Sequence, residues 1–450
     1  MKSNASPAPT WLGIDLVKNR WIFPLLGALT TLIGGAAYAF SVFVLPLEAE
    51  FGWTRTETVA AFSTAMFVTG ILMFVGGYFV DKYGPKIVFF VGAAFLATSQ
   101  ILSAQIDTVV ELVLTFGVIG GIGLGLTYTA ATVAVSSRWF PDKKGTAIGF
   151  AVLGFGLGAA VAGPVWTASI AAIGWRETYM WTGVVFAIGL FIIGTVLRFP
   201  PADWHFVPGR GWEPMDDAAA ATARGKNEVA INPNDLTFAE AARTPQMWLT
   251  GAMFFLCIFG GVMAVSQLAA FARDAQPTGI GMAAAAAGLV VMTMAIFNGA
   301  GRPTWGAISD IIGIRNAYMI VICLMIAAML TLSIAATPTM MFVAAGLTGF
   351  AFGGTLSLNP ILTTAFFGPT YVARIYGLVF LIGFGGGGFF GPIVGGMVRT
   401  QTGSYDMAFL GAAATAFVAL VLAFFLVPKS GQEHLKRPGA APAPRTDVAA

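Results

Sequence analysis

Residues 77–86 read Gly77-Tyr-Phe-Val-Asp81-Lys-Tyr-Gly84-Pro-Lys86, and 229 positions later residues 306–315 read Gly306-Ala-Ile-Ser-Asp310-Ile-Ile-Gly313-Ile-Arg315. Each stretch is a short polar turn between two long apolar runs, with glycine, aspartate, glycine and a base at matching positions. Two further pairs keep an offset within two positions of the first. Trp139-Phe140 through Gly149 corresponds to Phe366-Phe367 through Gly377, and Gly174-Trp-Arg-Glu-Thr-Tyr to Gly403-Ser-Tyr-Asp-Met-Ala. Self-similarity at one long period marks a duplicated unit, so the chain reads as two homologous halves.

Composition says where those halves live. The 450 residues are 57% hydrophobic and 10% charged, with mean hydropathy +0.80, whereas a water-soluble domain carries roughly 25% charged residues. Apolar runs long enough to cross about 30 Å of hydrocarbon recur at 21–46, 59–80, 86–106, 109–135, 145–170, 177–198, 246–272, 281–308, 316–336, 338–365, 374–398 and 405–427. Backbone in lipid must satisfy its own hydrogen bonds. The reading is therefore an all-α membrane protein with twelve transmembrane helices, arranged as two pseudo-symmetric six-helix bundles over 21–198 and 245–428. Two such halves enclose a cavity at the membrane midplane, and rocking one against the other exposes it to each side in turn.

Between them, residues 199–244 hold eleven charged residues in 46, more than twice the chain average, and read as a cytoplasmic linker. Trp204, Phe206 and Trp212 there suggest an amphipathic segment resting on the membrane surface, with a small ligand site as the alternative. Residues 1–20 contain Lys2, Lys18 and Arg20 but no apolar core, as expected of an uncleaved cytoplasmic start. Residues 429–450, rich in Pro, Gly and Ala, read as a disordered cytoplasmic tail.

The net charge of +3 is too balanced to imply a nucleic-acid partner, but its placement orients the chain. With both termini inside, nineteen of the 24 Lys and Arg fall on the cytoplasmic side, four (Arg55, Arg176, Arg273, Arg399) fall outside, and Arg302 lies between. The positive-inside rule then places the chain, multi-pass, in a cell (inner or plasma) membrane. Cys257 and Cys323 both sit in apolar runs and read as small buried hydrophobes. Gly154-Phe-Gly-Leu-Gly158 and Gly383-Phe-Gly-Gly-Gly-Gly388 lack the strand–turn–helix context of a phosphate cradle, and read instead as close-packing and bending positions. Both histidines, His205 and His434, lie outside the spans, no nucleophile–base constellation is visible, and no cofactor or metal is implied. An enzyme is not expected.

Arg302 carries the argument for a ligand. It stands eight residues before Asp310, about 12 Å along a helix, so it lies near the midplane, where a guanidinium costs at least about 2.5 to 3.5 kcal/mol. No other Asp, Glu, Lys or Arg occupies the interior of a span. A substrate carboxylate would pair with it bidentately; the alternative is a backbone carbonyl such as that of Gly299, freed by Pro303. Asn298, one turn earlier, shares its face. Tyr38 and Tyr128 are polar-tipped aromatics inside apolar helices, each needing either the substrate or a neighbouring helix as partner. Phe155, Phe352 and Phe384 are candidates for the apolar lining.

The loop at 77–86 resembles the signature of the major facilitator superfamily, and the copy at 306–315 its degenerate repeat. The resemblance implies that Asp81 and Asp310, with the bases Lys82, Lys86 and Arg315, latch the cytoplasmic face shut, and that the amino-terminal half supplies the cavity wall opposite Arg302. Four further stretches resemble the oxalate:formate antiporter family and the related monocarboxylate transporters. They are Glu50-Phe-Gly-Trp53, Arg138-Trp-Phe-Pro through Gly149, Arg243-Thr-Pro-Gln-Met-Trp248 and Asn298-Gly-Ala-Gly-Arg302-Pro.

Two departures from the family bear on the substrate. Oxalate carriers add a lysine in the eleventh helix, near Gly383 here, and monocarboxylate transporters place an aspartate where this chain has Asn298. One cation balances one negative charge. The expectation is a monocarboxylate carrier of the lactate or pyruvate kind, proton-coupled and working as a monomer, with oxalate:formate exchange as the alternative. A drug efflux pump and a non-transporting sensor are the more distant readings.

Overall fold

A computed structural model gives the fold and describes residues 8–128, 134–140, 143–201, 204–207, 211–214, 236–276, 278–368 and 371–426. Among these residues, twelve helices are long and apolar enough to cross a membrane. They are α1 (Ile22–Ala39), α2 (Arg55–Val80), α3 (Pro85–Ser103), α4 (Val109–Tyr128), α5 (Ala147–Ile173), α6 (Trp175–Val196), α7 (Pro245–Arg273), α8 (Ala284–Ile312), α9 (Ile314–Ser333), α10 (Pro338–Phe367), α11 (Arg374–Thr402) and α12 (Asp406–Phe424). The expected spans are found within a few residues. The largest difference at a described end is at α1, which stops at Ala39, seven residues short of 46, where a 3-10 turn (Ala36–Ala39) separates it from a second helix, Ser41–Phe51; α2 begins four residues early because Thr54 and Glu57 form a capping box ahead of the apolar run. The expected tail, 429–450, lies outside the described residues.

The repeated turns have a backbone explanation. Gly84 ends α2 with φ +82°, and its counterpart Gly313 ends α8 with φ +82°. Only glycine adopts that region without strain, so each half needs a glycine at that place in the motif. We call the end of the bundle that carries these two turns, and from which α1 starts, the near end; the other is the far end.

Each half packs internally through glycine contacts, and the halves meet along two seams. One joins α5 to α8: a Cβ on Gly156 would lie 2.7 Å from the Gly299 Cα. The other joins α2 to α11, where a Cβ on Gly70 would lie 2.8 Å from the Gly385 Cα. In the repeat α5 corresponds to α11 and α2 to α8, so the two seams are related by the internal symmetry. Small residues let backbones approach where apolar burial gives no net drive between helices in lipid. α11 is not uniformly α-helical: Leu381–Gly386, within its glycine run, forms a π-helical turn, the kind of local rewinding that marks functional segments.

Two local expectations change. The linker's aromatics form a hairpin, β1 (Trp204–Val207) antiparallel to β2 (Gly211–Pro214), and not an amphipathic segment along the membrane. The Trp212 indole donates to the Trp139 carbonyl at 3.1 Å, and the Arg20 guanidinium stands 4.9 Å from the centre of the Phe206 ring. Trp139, stacked on Phe23 with centroids 4.3 Å apart, offers an apolar platform on the protein itself. Cys257 is buried but Cys323 is exposed on the outer surface of α9, where lipid, not protein, receives it.

The packing yields a test. A Cβ on Gly353 of α10 falls onto the Asn298 carbonyl of α8, which is backbone and cannot rotate away. Gly353→Val is expected to destabilise by about 1–3 kcal/mol or more, read as a lowered thermal midpoint in nanodiscs. Gly411→Val, on α12 with nothing within 4 Å of the new Cβ, is expected to leave the midpoint unchanged.

Candidate functional site

The site is organised by one turn of α8. Asn298 and Arg302 are 1% and 9% exposed. Arg302 Nε donates to Asn298 Oδ1 at 3.3 Å, and Nη1 donates to the Val152 carbonyl at 3.0 Å. A backbone carbonyl does receive the guanidinium, but it belongs to α5 in the other half and is not that of Gly299. Arg302 therefore ties the two halves together at mid-depth, and its Cζ lies 5.9 Å from the centre of the Phe155 ring.

Aromatic rings close around this pair. Tyr38 packs edge-on against Phe155 with centroids 5.1 Å apart and lies 5.7 Å from Phe352. Tyr128 meets the opposite side of the cluster, 5.8 Å from Phe155. Both tyrosines are within electrostatic reach of Arg302. The Tyr38 hydroxyl and the Asn298 Nδ2 are buried without a hydrogen-bond partner among the described residues. Both line one cavity of about 10 Å³, closed by Ala159, Val265, Leu268 and Met294. That is room for roughly one water.

Phe384 is not in direct ring contact with this cluster. It stacks on Phe380 at 4.7 Å, and Phe380 meets Tyr376 at 5.8 Å. Tyr376, which the sequence reading did not single out, lies within electrostatic reach of both Arg302 and Tyr128. Gly383 faces away: a Cβ there would press on the Phe254 ring of α7. A cation at that position would be turned into the second half and not toward Arg302.

Among the described side chains of the expected near-end latches, no two are paired with each other. The Asp81 side chain lies outside what the structure describes. Lys82 and Lys86 are exposed, with the Lys82 ammonium 5.1 Å from the Tyr83 ring centre. Asp310 is exposed too, and Arg315 donates to the Phe424 carbonyl at 3.1 Å, the carbonyl end of α12, where a helix favours positive charge.

The far end holds a network that the sequence did not reveal. Arg55 Nη2 donates to Glu48 at 2.9 Å, Nη1 donates to Gln267 at 3.4 Å and to the Tyr405 hydroxyl, and Nη2 lies 3.6 Å from Asp274. Arg399 Nη2 and the Tyr405 hydroxyl both donate to Asp274 Oδ2, at 3.2 and 3.0 Å. Two guanidiniums and two carboxylates thus join the far ends of α1 and α2 to those of α7, α11 and α12. No spacing rule links residues so distant in sequence, and loop arginines carry no mark of burial.

This network is testable by contrast. Asp274, 10% exposed in its side chain, serves both arginines, and Asp274→Asn is expected to cost up to roughly 3 kcal/mol, the low end for a broken buried pair. Asp107, 77% exposed in its pair with Arg176, should cost under about 1 kcal/mol as Asn. Chemical or thermal unfolding in nanodiscs would show equal shifts if the Asp274 network were merely superficial.

Comparison with known proteins places this architecture. The chain matches the family model of the Major Facilitator Superfamily over residues 26–276 and 268–449. It is 31% identical to the oxalate:formate antiporter of Oxalobacter formigenes over 93% of this chain and 94% of that protein. Identity is 26% with the probable sulfoacetate transporter SauU of Cupriavidus necator, covering 85% and 87% of the two chains. With monocarboxylate transporter 12 of Xenopus laevis it is 22%, covering 82% and 80%. Among solved structures, a bacterial homologue of the human lysosomal transporter Spinster, inward-facing and unoccupied, superposes with TM-score 0.67 at 16% identity, over 90% of this chain and 96% of that one. The nucleoside transporter NupG gives 0.65 at 16%, over 90% and 99%. At such identity these two speak for the fold alone.

Proposed function

The chain belongs to the major facilitator superfamily, and from that premise we propose that it is a secondary carrier of small carboxylate anions that holds its substrate at Arg302. The observation that supports this best is the set of hydrogen-bond donors at mid-depth. Among the described residues, Tyr38 Oη and Asn298 Nδ2 are buried without partners beside a guanidinium. An unmade buried bond costs about 1–3 kcal/mol, and a carboxylate supplies the acceptors these two donors lack together with a negative charge for the guanidinium.

The cavity of about 10 Å³ is too small for any such anion, so admission requires the halves to part. Substrate oxygens would replace the Val152 carbonyl on Arg302 and release the midplane tie between α5 and α8. Binding and rearrangement are then one exchange of partners for one cation. With the basic near end in the cytoplasm of a cell membrane, the far-end network of Arg55, Glu48, Asp274, Arg399 and Tyr405 is the closed outer gate. The near-end set Asp81, Lys82, Lys86, Asp310 and Arg315 would take that role when the near end closes.

Charge balance favours a monocarboxylate of the lactate or pyruvate kind. Arg302 is the one cation in the span interiors, and α11 offers Tyr376, Phe380 and Phe384 on that side. Asn298 does not titrate, so a coupled proton would travel on the substrate carboxyl. Oxalate:formate exchange is the second reading, supported by the relative that is 31% identical over nearly the whole chain.

Reconstitution in liposomes separates the two. Uptake of labelled lactate that follows an inward proton gradient and vanishes in Arg302→Ala is expected; oxalate exchange against internal formate without a gradient would select the second reading. Tyr38→Phe is expected to raise KM roughly tenfold, the loss of one hydrogen bond to a charged group. Carboxylate flux that survives Arg302→Ala would overturn both.

A further inference from the structure

Above the cavity at Tyr38 and Asn298 lies a second and larger one, toward the far end. It has about 110 Å³ of space and is lined by Val42 and Pro46 beyond α1, Thr167 and Ile170 of α5, Arg273 of α7, and Ala287 of α8. The smaller cavity is walled by the same four helices, through Tyr38, Ala159, Leu268 and Asn298. On each helix the residues of the larger cavity lie farther along toward the far end. Asn298 and Ala287 are eleven residues apart, about 16 Å along α8. The two cavities therefore follow one another beside the α5–α8 seam, and Val291 and Met294, in the lining of the smaller one, lie between Ala287 and Asn298 along α8.

The larger cavity suits an anion. An engineered cavity of about 150 Å³ admits benzene, so 110 Å³ holds a carboxylate of two or three carbons. Arg273 is the one charged residue in its lining, and among the described residues it makes no ion pair or hydrogen bond through its side chain. Its neighbour Asp274 is committed to Arg399, Arg55 and Tyr405. The first turn of α8 also opens here, and its N-cap, Ala283, supplies no side-chain oxygen, which adds the field of free N–H groups to that of Arg273.

We infer that this cavity is an outer anion station, in which Arg273 captures the carboxylate before it descends along the α5–α8 seam to Arg302. The inference rests on the reading of Arg302 as the carboxylate site, and adds to it a residue that acts on capture. A cation at the mouth of a low-dielectric cleft raises the local concentration of an anion, and salt screens that gain.

Lactate uptake by right-side-out vesicles at low and physiological ionic strength would test it. Arg273→Gln is expected to raise KM five- to tenfold with Vmax within twofold, and to lose most of the salt dependence of KM; Arg273→Lys should stay near the wild type. A second measurement does not need transport. In a Cys257→Ser, Cys323→Ser, Arg302→Ala background, lactate should slow modification of Thr167→Cys by a charged thiol reagent, and adding Arg273→Gln should abolish that protection. Wild-type KM in Arg273→Gln together with no protection at Thr167→Cys would overturn the outer station while leaving Arg302 in place. A wild type that moves no carboxylate would instead overturn the Arg302 reading, and the protection assay would still decide whether the outer cavity takes the anion.

Discussion

A guanidinium in the middle of an apolar bundle must be given partners, and much of this structure follows from how Arg302 is provided for. Placing it there costs at least about 2.5 to 3.5 kcal/mol, while a hydrogen bond to a charged group returns about 1.5 to 3 kcal/mol. Two bonds, to Asn298 and to the Val152 carbonyl, are therefore enough to offset the cost. The second bond is available only because α5 and α8 touch at Gly156 and Gly299, since side chains there would hold the carbonyl out of reach. The glycine contact and the buried arginine are thus one design: close approach makes the charge tolerable, and the charge holds the seam together.

The two ends of the bundle treat charge in opposite ways. At the far end two arginines and two carboxylates share a buried, electrically balanced network that crosses from one half to the other. At the near end Lys82, Lys86 and Asp310 are exposed, and Arg315 turns to the carbonyl end of its own half. Buried pairs lose much when one partner leaves, whereas exposed charges lose little. Among the described residues, the charged contacts that cross between the halves through buried carboxylates are accordingly those of the far end. A carrier that alternates needs the opposite balance in its other state, which is the role proposed above for the near-end charges.

Most of the fold was legible because each feature had a local cause. Span lengths follow from apolar runs, and the repeat is visible because Gly84 and Gly313 sit where the backbone turns at positive φ. Arg302 stood out because its position is expensive. What sequence could not convey was partnership. The Val152 acceptor is a main-chain carbonyl, which every residue possesses, so nothing in the letters marks it. Arg55, Asp274 and Arg399 read as ordinary loop charges until the two halves are set face to face. Tyr376 lay inside a quoted motif, yet only the packing of α11 brings it toward Tyr128 and Arg302. The linker aromatics misled because Trp139, the surface they cover, lies some 70 residues away.

The identity of the eleventh-helix wall bears most on the substrate. Gly383, the position aligned with a second cation in oxalate carriers, points at Phe254 and not at Arg302. The π-helical turn at Leu381–Gly386 shifts which residues of α11 face inward, so counting along the sequence does not identify the cavity face. Yet the charge argument does not depend on that one position. Between Arg374 and Arg399 every residue of α11 is uncharged, so no rotation of the helix brings a second cation to mid-depth. A dianion at Arg302 would keep one negative charge paired only with neutral donors, Tyr38 and Asn298. Neutral hydrogen bonds are about half as strong as charge-assisted ones, so they leave the second charge less well paired than the first. A singly charged carboxylate meets no such deficit, which is why the proposal puts monocarboxylates first even beside an oxalate-exchanging relative.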